Sequence, residues 1–362
     1  MLLAYAPLRG SFGSQRCRRR IVRRALVAAL LVATTAQAEP AQMRERAERG
    51  RLTQTTDDGK LSVSFGGFVQ ARYVAGDSIA PFSLPRTRLY TFGHLLDPDV
   101  RYRLMLGTSG ADPSLRLFDA YGEWGRSAVR LRAGYFKVPV IREWMESARL
   151  LGSVERSLAT VAMLPGRATG VMLSGDPSRF VSYAAGVFDG PRGFQEVGPT
   201  AATRVVWNAH GNAIEGEIDF ENSRGRVSLG ASALARVRDE ATATYRAEAL
   251  YAVDIAVRGR GFDISIEGMA RRRFGVLDAH TDFGAVARLD RYFAPLRASV
   301  GVRASVLRVD SEERRREESE LEFDVGFYPY GHQLKVLGDL GLRTEVGKDV
   351  QPVLRVQAQA AF

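Results

Sequence analysis

The chain has 362 residues, with 51 lysines and arginines against 41 aspartates and glutamates, a net charge of +10. Seven arginines (Arg9, Arg16, Arg18, Arg19, Arg20, Arg23 and Arg24) sit in the first 24 residues, which hold no acid, so the remainder is close to neutral and its charge gives no case for a nucleic-acid partner. The only cysteine, Cys17, lies in the same stretch, so everything after it is excluded from disulfides and thiolate metal sites.

In chain order, the arginine-rich start is followed by the apolar run "ALVAALLVATT" and by "AQA" at Ala36–Ala38. A positive region, a short apolar run and an A-x-A site predict a secretory signal peptide over residues 1–38, with Glu39 the first residue of the mature chain. The run is too short for a membrane helix, which needs roughly 20 apolar residues. Beyond it, 44 basic and 41 acidic residues leave a net charge of +3. No later run reaches that length either, so an exported chain of this kind is either a soluble fold or a closed β-barrel.

Residues 39–59 are polar and charged and read as a solvated periplasmic N-terminal arm. From residue 60 onward, period two dominates. "LSVSFGGFVQARY" puts Val63, Phe65, Gly67, Val69, Ala71 and Tyr73 on one face, against Ser62, Ser64, Gly66, Gln70 and Arg72, with Phe68 the exception. "VRYRLML" sets Val100, Tyr102, Leu104 and Leu106 against Arg101 and Arg103, and "AVRLRAGYF" sets Val129, Leu131, Ala133 and Tyr135 against Arg130 and Arg132. The same alternation runs through 245–258 and 262–273, and the chain ends on it, with Leu354, Val356, Ala358, Ala360 and Phe362 on one face.

Alternation alone fits a soluble sandwich as well as a membrane barrel. Segments of about 10–15 residues exceed the usual 5–6 of globular sheets. Short connections near Asp97, Gly125, Asp176, Gly259, Ala294 and Tyr330 alternate with long ones near 76–83, 108–114, 138–167, 190–201, 237–244, 274–279 and 309–318. The pattern predicts an all-β protein, a transmembrane antiparallel β-barrel of about 16 strands over residues 60–362, in the outer membrane of a Gram-negative bacterium with both termini periplasmic. The stretch 208–226 fits the rhythm badly. A barrel closes by pairing its last strand with its first, so the terminal Phe362 belongs at an interfacial aromatic girdle, and terminal aromatics of this kind are thought to address the barrel-insertion machinery. The interval 138–167 is too long for a hairpin. Within it Ile141, Trp144, Met145, Ala148 and Leu151 have helical spacing, and the expectation is a turn or two of helix packed on the inner wall as a constriction loop. The charge run at 310–320 reads as a solvated outer loop, with contact to lipopolysaccharide phosphates as the sharper alternative.

Several stretches resemble the phosphate-selective porins O and P: "FGGFVQARY" followed by "LPRTRLYTFGH" (84–94), then "LRLFDAYGEW" (115–124), "LRAGYFKVPV" (131–140), "VERSLAT" (154–160), "LPGRATGVMLSG" (164–175) and "YAAGVFDG" (183–190). The resemblance covers 65–190. It implies a 16-stranded homotrimeric porin that admits small anions such as phosphate, needs no cofactor, and has an inward-folded third loop. Arginine suits an oxyanion path because its planar fork donates paired hydrogen bonds and stays charged. Candidates on the polar face of the early strands are Arg86, Arg88, Arg101, Arg103, Arg130 and Arg132. Lys137, at a strand end, matches the lysine of the family's motif, and Arg142, Arg149 and Arg156 fall in the constriction loop. Asp119, Glu123, Asp263, Glu267 and Asp282 are expected to share the interior and offset part of that charge. The alternatives are a general-diffusion porin without anion preference and a plugged structural or adhesive barrel. An enzyme has little support: His94, His210, His280 and His332 are scattered, and the thin grouping of His280, Asp282 and Ser265 is the nearest approach to a catalytic set. No metal-ligand spacing, P-loop or dinucleotide fingerprint occurs.

Overall fold

A computed structural model describes residues 52–75, 82–110, 112–189, 197–210, 214–238, 246–275, 278–310 and 315–362. The signal peptide expected at 1–38, residues 39–51 of the arm and residues 311–314 of the charge run lie outside the described residues. The first half of the chain forms β1 (Leu52–Thr55), β2 (Leu61–Ala75), β3 (Phe82–Leu95), β4 (Asp97–Ser109), β5 (Asp112–Arg126), β6 (Val129–Lys137), β7 (Arg167–Ser178), β8 (Val181–Asp189) and β9 (Val197–Asn208). The second half forms β10 (Arg226–Arg238), β11 (Ala247–Gly259), β12 (Phe262–Phe274), β13 (Ala279–Phe293), β14 (Ala298–Val309), β15 (Arg316–Phe327), β16 (Pro329–His332), β17 (Leu334–Glu345) and β18 (Gln351–Ala361). Two short helices, α1 (Arg142–Met145) and α2 (Leu158–Ala162), lie between β6 and β7.

From β2 each long strand pairs antiparallel with the next, β15 pairs with β17, and β18 returns to β2, closing a ring of sixteen. The strand count matches the sequence pattern, and closure leaves the ring no edge. Phe362 takes part: its N–H donates to the Gly67 carbonyl at 3.0 Å, and its own carbonyl accepts from Gly67 N–H at 3.1 Å. Residues 53–59 of the arm are exposed, and part of the arm is a strand. β1 runs on beside β2 past the end of β18, pairing Leu52–Thr55 with Ser62–Phe65, and Thr53 Oγ1 lies 2.8 Å from Ser64 Oγ.

Both ends of the ring-forming chain lie at one rim, the terminal rim. Its connections are residues 96, 127–128, 179–180, 209–225, 260–261, 294–297 and 328–333. All but one are tight. The opposite, loop rim carries the connection 138–166. One of its loops, expected across 108–114, is instead tight, because β4 runs to Ser109 and β5 starts at Asp112.

The outward face is apolar around the ring, with Phe65, Leu89, Trp124, Val187, Tyr251, Val253, Phe323 and Val325 exposed. The inward face carries the charged residues, yet it is not uniformly polar. Phe68 points inward and packs with Tyr90 and Met105. A larger apolar patch on the inner wall holds Phe136, Met172, Phe188, Leu234, Leu250, Met269, Val286 and Leu307. Gly134, at φ +135°, leaves the wall open for Tyr121, because a Cβ there would stand 2.9 Å from the Tyr121 Cβ.

Candidate functional site

The candidate site is built from the inner wall and the connection 138–166, which begins one residue after Lys137 and ends where Arg167 opens β7. Apolar contact decides how this segment sits. Val138, Val140, Ile141, Trp144, Ala159 and Met163 are buried in the same cluster as the apolar patch of the wall. Burying an aliphatic or aromatic side chain stabilises by roughly 1.5–3 kcal/mol, so these six together offset a large part of the entropy lost in fixing the segment. Polar contacts set its register: the N–H groups of Arg142 and Glu143 donate to Glu267 (2.5 and 3.1 Å), Ala159 N–H donates to Ser305 Oγ (3.1 Å), and Arg271 Nη1 donates to the Ala162 carbonyl (3.1 Å). Ser157 caps α2, its hydroxyl accepting from Thr160 N–H at 3.3 Å. On the far side, Lys335 Nζ donates to the carbonyls of Arg149 (2.9 Å) and Leu151 (2.6 Å), and Gln70 Nε2 donates to that of Ala148 (3.2 Å).

The six strand arginines singled out from the sequence lie on one sector of the inner wall, β3 to β6. Glu123 sits among three of them, with Arg132 Nη2 at 2.6 Å, Arg101 Nη2 at 3.1 Å and Arg130 Nε at 4.0 Å. Arg130 also reaches Asp176 at 2.9 Å, and Asp119 lies 3.5 Å from Arg103 and 3.1 Å from Arg167. Arg86 pairs with Glu155 of the connection, which Arg72 also meets at 2.7 Å.

Three cations, Arg88 of that sector together with Lys137 and Arg156, have no carboxylate within ion-pair distance among the described residues. Arg88 stacks on Phe118, 3.5 Å from the ring centroid, and donates to the carbonyls of Thr87 (2.9 Å) and Thr108. Lys137 Nζ donates to the carbonyls of Trp144 (2.7 Å), Met145 (3.2 Å) and Glu146 (2.8 Å), the open end of α1. Arg156 donates to the carbonyls of Glu143 (3.2 Å) and Glu146 (2.7 Å), and burial together with Arg86 brings its guanidinium down to about 10. Lys137, Arg156 and Arg167 all stand 5.0–5.4 Å from the Trp144 ring centroid. The geometry therefore gathers positive charge at the foot of the connection around two aromatic rings.

Arg142 and Arg149, also expected on the path, are buried, as is Arg88. Arg142 sits against the wall where Glu267 holds its backbone. Arg72 and Arg167 were not singled out, although Arg72 lies on the polar parity of its strand and Arg167 closes the long interval. Ser265 pairs across the ladder with Arg288, whereas Asp282 pairs with Arg271, six residues further along β12 and roughly 20 Å away. The grouping with His280 is therefore not assembled.

The opposite wall, β13 to β18, is charged and pairs both with itself and with acids of the connections 138–166 and 209–225. Arg288 contacts Asp290 (2.5 Å) and Glu217 (3.1 Å), Arg303 pairs with Glu322 and Glu143 (3.2 Å), and Arg355 pairs with Glu322 and Asp339 (2.7 Å). Each wall has arginines more open than the acids they pair with, as Arg355 at 15% shows on the opposite wall. Arg101 and Arg132 side chains are each 24% accessible and the Glu123 between them 9%, while Glu322 and Asp339 are at 0%. Water inside the barrel therefore meets arginines on the β3–β6 sector.

No family model matches the sequence, and no curated protein matches it. The fold does have counterparts among solved structures. OmpF of Salmonella typhi, in complex with daunomycin, superposes with a TM-score of 0.61 at 10% identity, over 86% of this chain and 100% of that one. The anion-selective porin of Comamonas acidovorans gives 0.54 at 10% identity, over 83% and 99%. OmpT of Vibrio cholerae, folded in vitro and described as a trimer form, gives 0.57 at 7% identity, over 83% and 99%. At such identities the likeness concerns the sixteen-stranded barrel.

Proposed function

We propose that the chain is an outer-membrane porin through which small hydrophilic solutes diffuse passively, with a preference for anions. The apolar outward face supports membrane insertion, because a closed barrel satisfies every backbone group internally and needs only an apolar exterior to meet lipid. The observation that carries the anion preference is the arginine sector with accessible Arg101 and Arg132, beside Arg88, Lys137 and Arg156, cations with no described carboxylate within ion-pair distance. Rings or rows of such cations replace part of an anion's hydration, and several weak sites in series let it leave again. Phosphate and other oxyanions suit the guanidinium fork best, in keeping with the resemblance to the phosphate-selective porins. The segment 138–166 is the constriction in this reading. A homotrimer, export by a signal peptide, lipopolysaccharide contact at the charged outer loop and recognition of Phe362 by the insertion machinery complete the proposal.

The test is the reversal potential of the refolded protein in a planar bilayer under a potassium chloride gradient, followed by phosphate titration. Anion preference is expected, with block by phosphate, and the triple change Arg88→Gln, Lys137→Gln, Arg156→Gln should move the reversal potential toward zero or beyond. A cation-preferring wild type would refute the anion reading. A folded protein without conductance would favour a plugged barrel, a reading that has its own support in how fully the interior is occupied.

A further inference from the structure

The described residues 214–225 of the one long connection at the terminal rim, 209–225, do not hang outside the barrel. We infer that this part is a second narrowing element which enters from the periplasmic end, meets 138–166 inside, and with it limits the size of the solute that passes; this rests on the channel reading.

A turn between β9 and β10 needs few residues, since Asn208 and Ser228 already pair across the ladder. The extra chain is used for burial: Ile214, Glu217, Ile218 and Asp219 are all buried. Phe220 is fixed edge-on among three rings of the rim, with centroids 5.0 Å from Tyr292, 5.1 Å from Tyr328 and 4.9 Å from His332. Edge-to-face arrangements of this kind contribute beyond the area they bury. Ile218 packs with Val154, Tyr328 and Leu337, so it touches both the wall and the other segment.

Polar contacts tie the turn down at its base. The Asp219 carboxylate accepts from Ser223 N–H (3.0 Å) and Gly261 N–H (2.9 Å), and Arg258 donates to the carbonyls of Glu215 (2.6 Å) and Gly216 (2.8 Å). Two bonds then join the segments directly. Gly152 N–H donates to Glu217 Oε2 at 2.7 Å, and Gly216 N–H donates to Glu146 Oε2 at 3.0 Å. Glu217 is also held by Arg288 at 3.1 Å, so one carboxylate links the wall, the periplasmic segment and the outer segment. A solute that passed the outer segment alone would still meet this second obstacle, and the two brace each other.

The experiment compares wild type with a variant in which residues 210–225 are replaced by a short Asn-Gly turn, and with the milder double change Ile218→Ala, Phe220→Ala in case the first does not fold. Folding is checked by heat-modifiable gel migration, and the readouts are single-channel conductance and the size of sugar admitted by liposomes. Conductance raised at least about twofold, with larger sugars admitted, is the expected result. A conductance that appears only in the variants makes the segment a complete plug, and overturns both the channel reading and the inference that it sizes a passing solute. Equal or lower conductance in folded variants of a conducting wild type overturns it and leaves the channel reading intact. Silence in all folded forms overturns both.

Discussion

Glu155 is the residue through which the segment 138–166 grips the arginine sector. Burial by itself would push its carboxyl up, but Arg86 and Arg72 outweigh burial and hold it at about 2. A carboxyl whose folded value lies below its ordinary 4.5 stabilises the fold fully above that ordinary value, and the contribution fades as pH falls toward the folded one. The size is on the order of 3 kcal/mol at neutral pH. Wild type should therefore melt above Glu155→Gln by a constant margin from neutrality down to about pH 5, and the margin should shrink between about pH 4.5 and 2. Melting curves of both proteins across that range decide it, and a margin that persists undiminished at pH 2 would show that the pairing carries no such weight. At this scale the sequence was informative about one half of each contact. Polar parity placed Arg86, Arg88, Arg101, Arg103, Arg130 and Arg132 inside, and Asp119 and Glu123 with them, because a strand's alternation fixes its faces. Which acid each arginine meets depends on strand register, and for Arg86 on a carboxylate from the segment, and neither follows from period two.

Among the elements, the segment 138–166 shows why an interior in a polar barrel needs apolar anchors. Its backbone has no strand partner over 138–166, so its position is held by Ile141, Trp144, Ala159 and Met163 against Leu234, Leu250, Met269 and Leu307. Those wall residues were visible as apolar side chains at polar positions of their strands, for instance Leu250 and Ala252 between Glu248 and Asp254. Their purpose was not visible, since an alternation break says nothing about what covers it. The poor rhythm at 208–226 was likewise legible, but a loop's direction of entry is set by long-range contacts such as those of Phe220. Ile141 is fully buried, so Ile141→Ala should cost about 2–5 kcal/mol of docking energy without touching any strand pair. Limited proteolysis of the refolded variant should cut within 138–166 much faster than in wild type while heat-modifiable migration is retained. An unchanged cleavage rate would mean the segment is fixed by its polar contacts alone.

For the whole molecule, stability is a matter of closure. Each of the sixteen strands has two neighbours only because β18 returns to β2 through Leu354–Ala361 and Phe68–Ala75. Removing 351–362 exposes a full unpaired edge on both β17 and β2, and unpaired edges in an apolar-faced sheet associate rather than stay single. Phe362 on its own contributes less. Its ring lies over Gly67, where a Cβ would come within 2.8 Å of Phe362 Cζ, and its two bonds to Gly67 are made by the backbone, which survives a side-chain change. Two outcomes therefore separate. Phe362→Ala should refold in detergent to a heat-modifiable barrel with a modestly lower midpoint, the loss of one half-exposed ring. The chain ending at residue 350 should give no heat-modifiable band and should aggregate on refolding. A truncated chain that still migrates as a compact monomer would place the seam of the barrel elsewhere than between β18 and β2. Failure of Phe362→Ala to refold in vitro would make its ring a structural requirement in its own right, beyond any part in recognition by the insertion machinery.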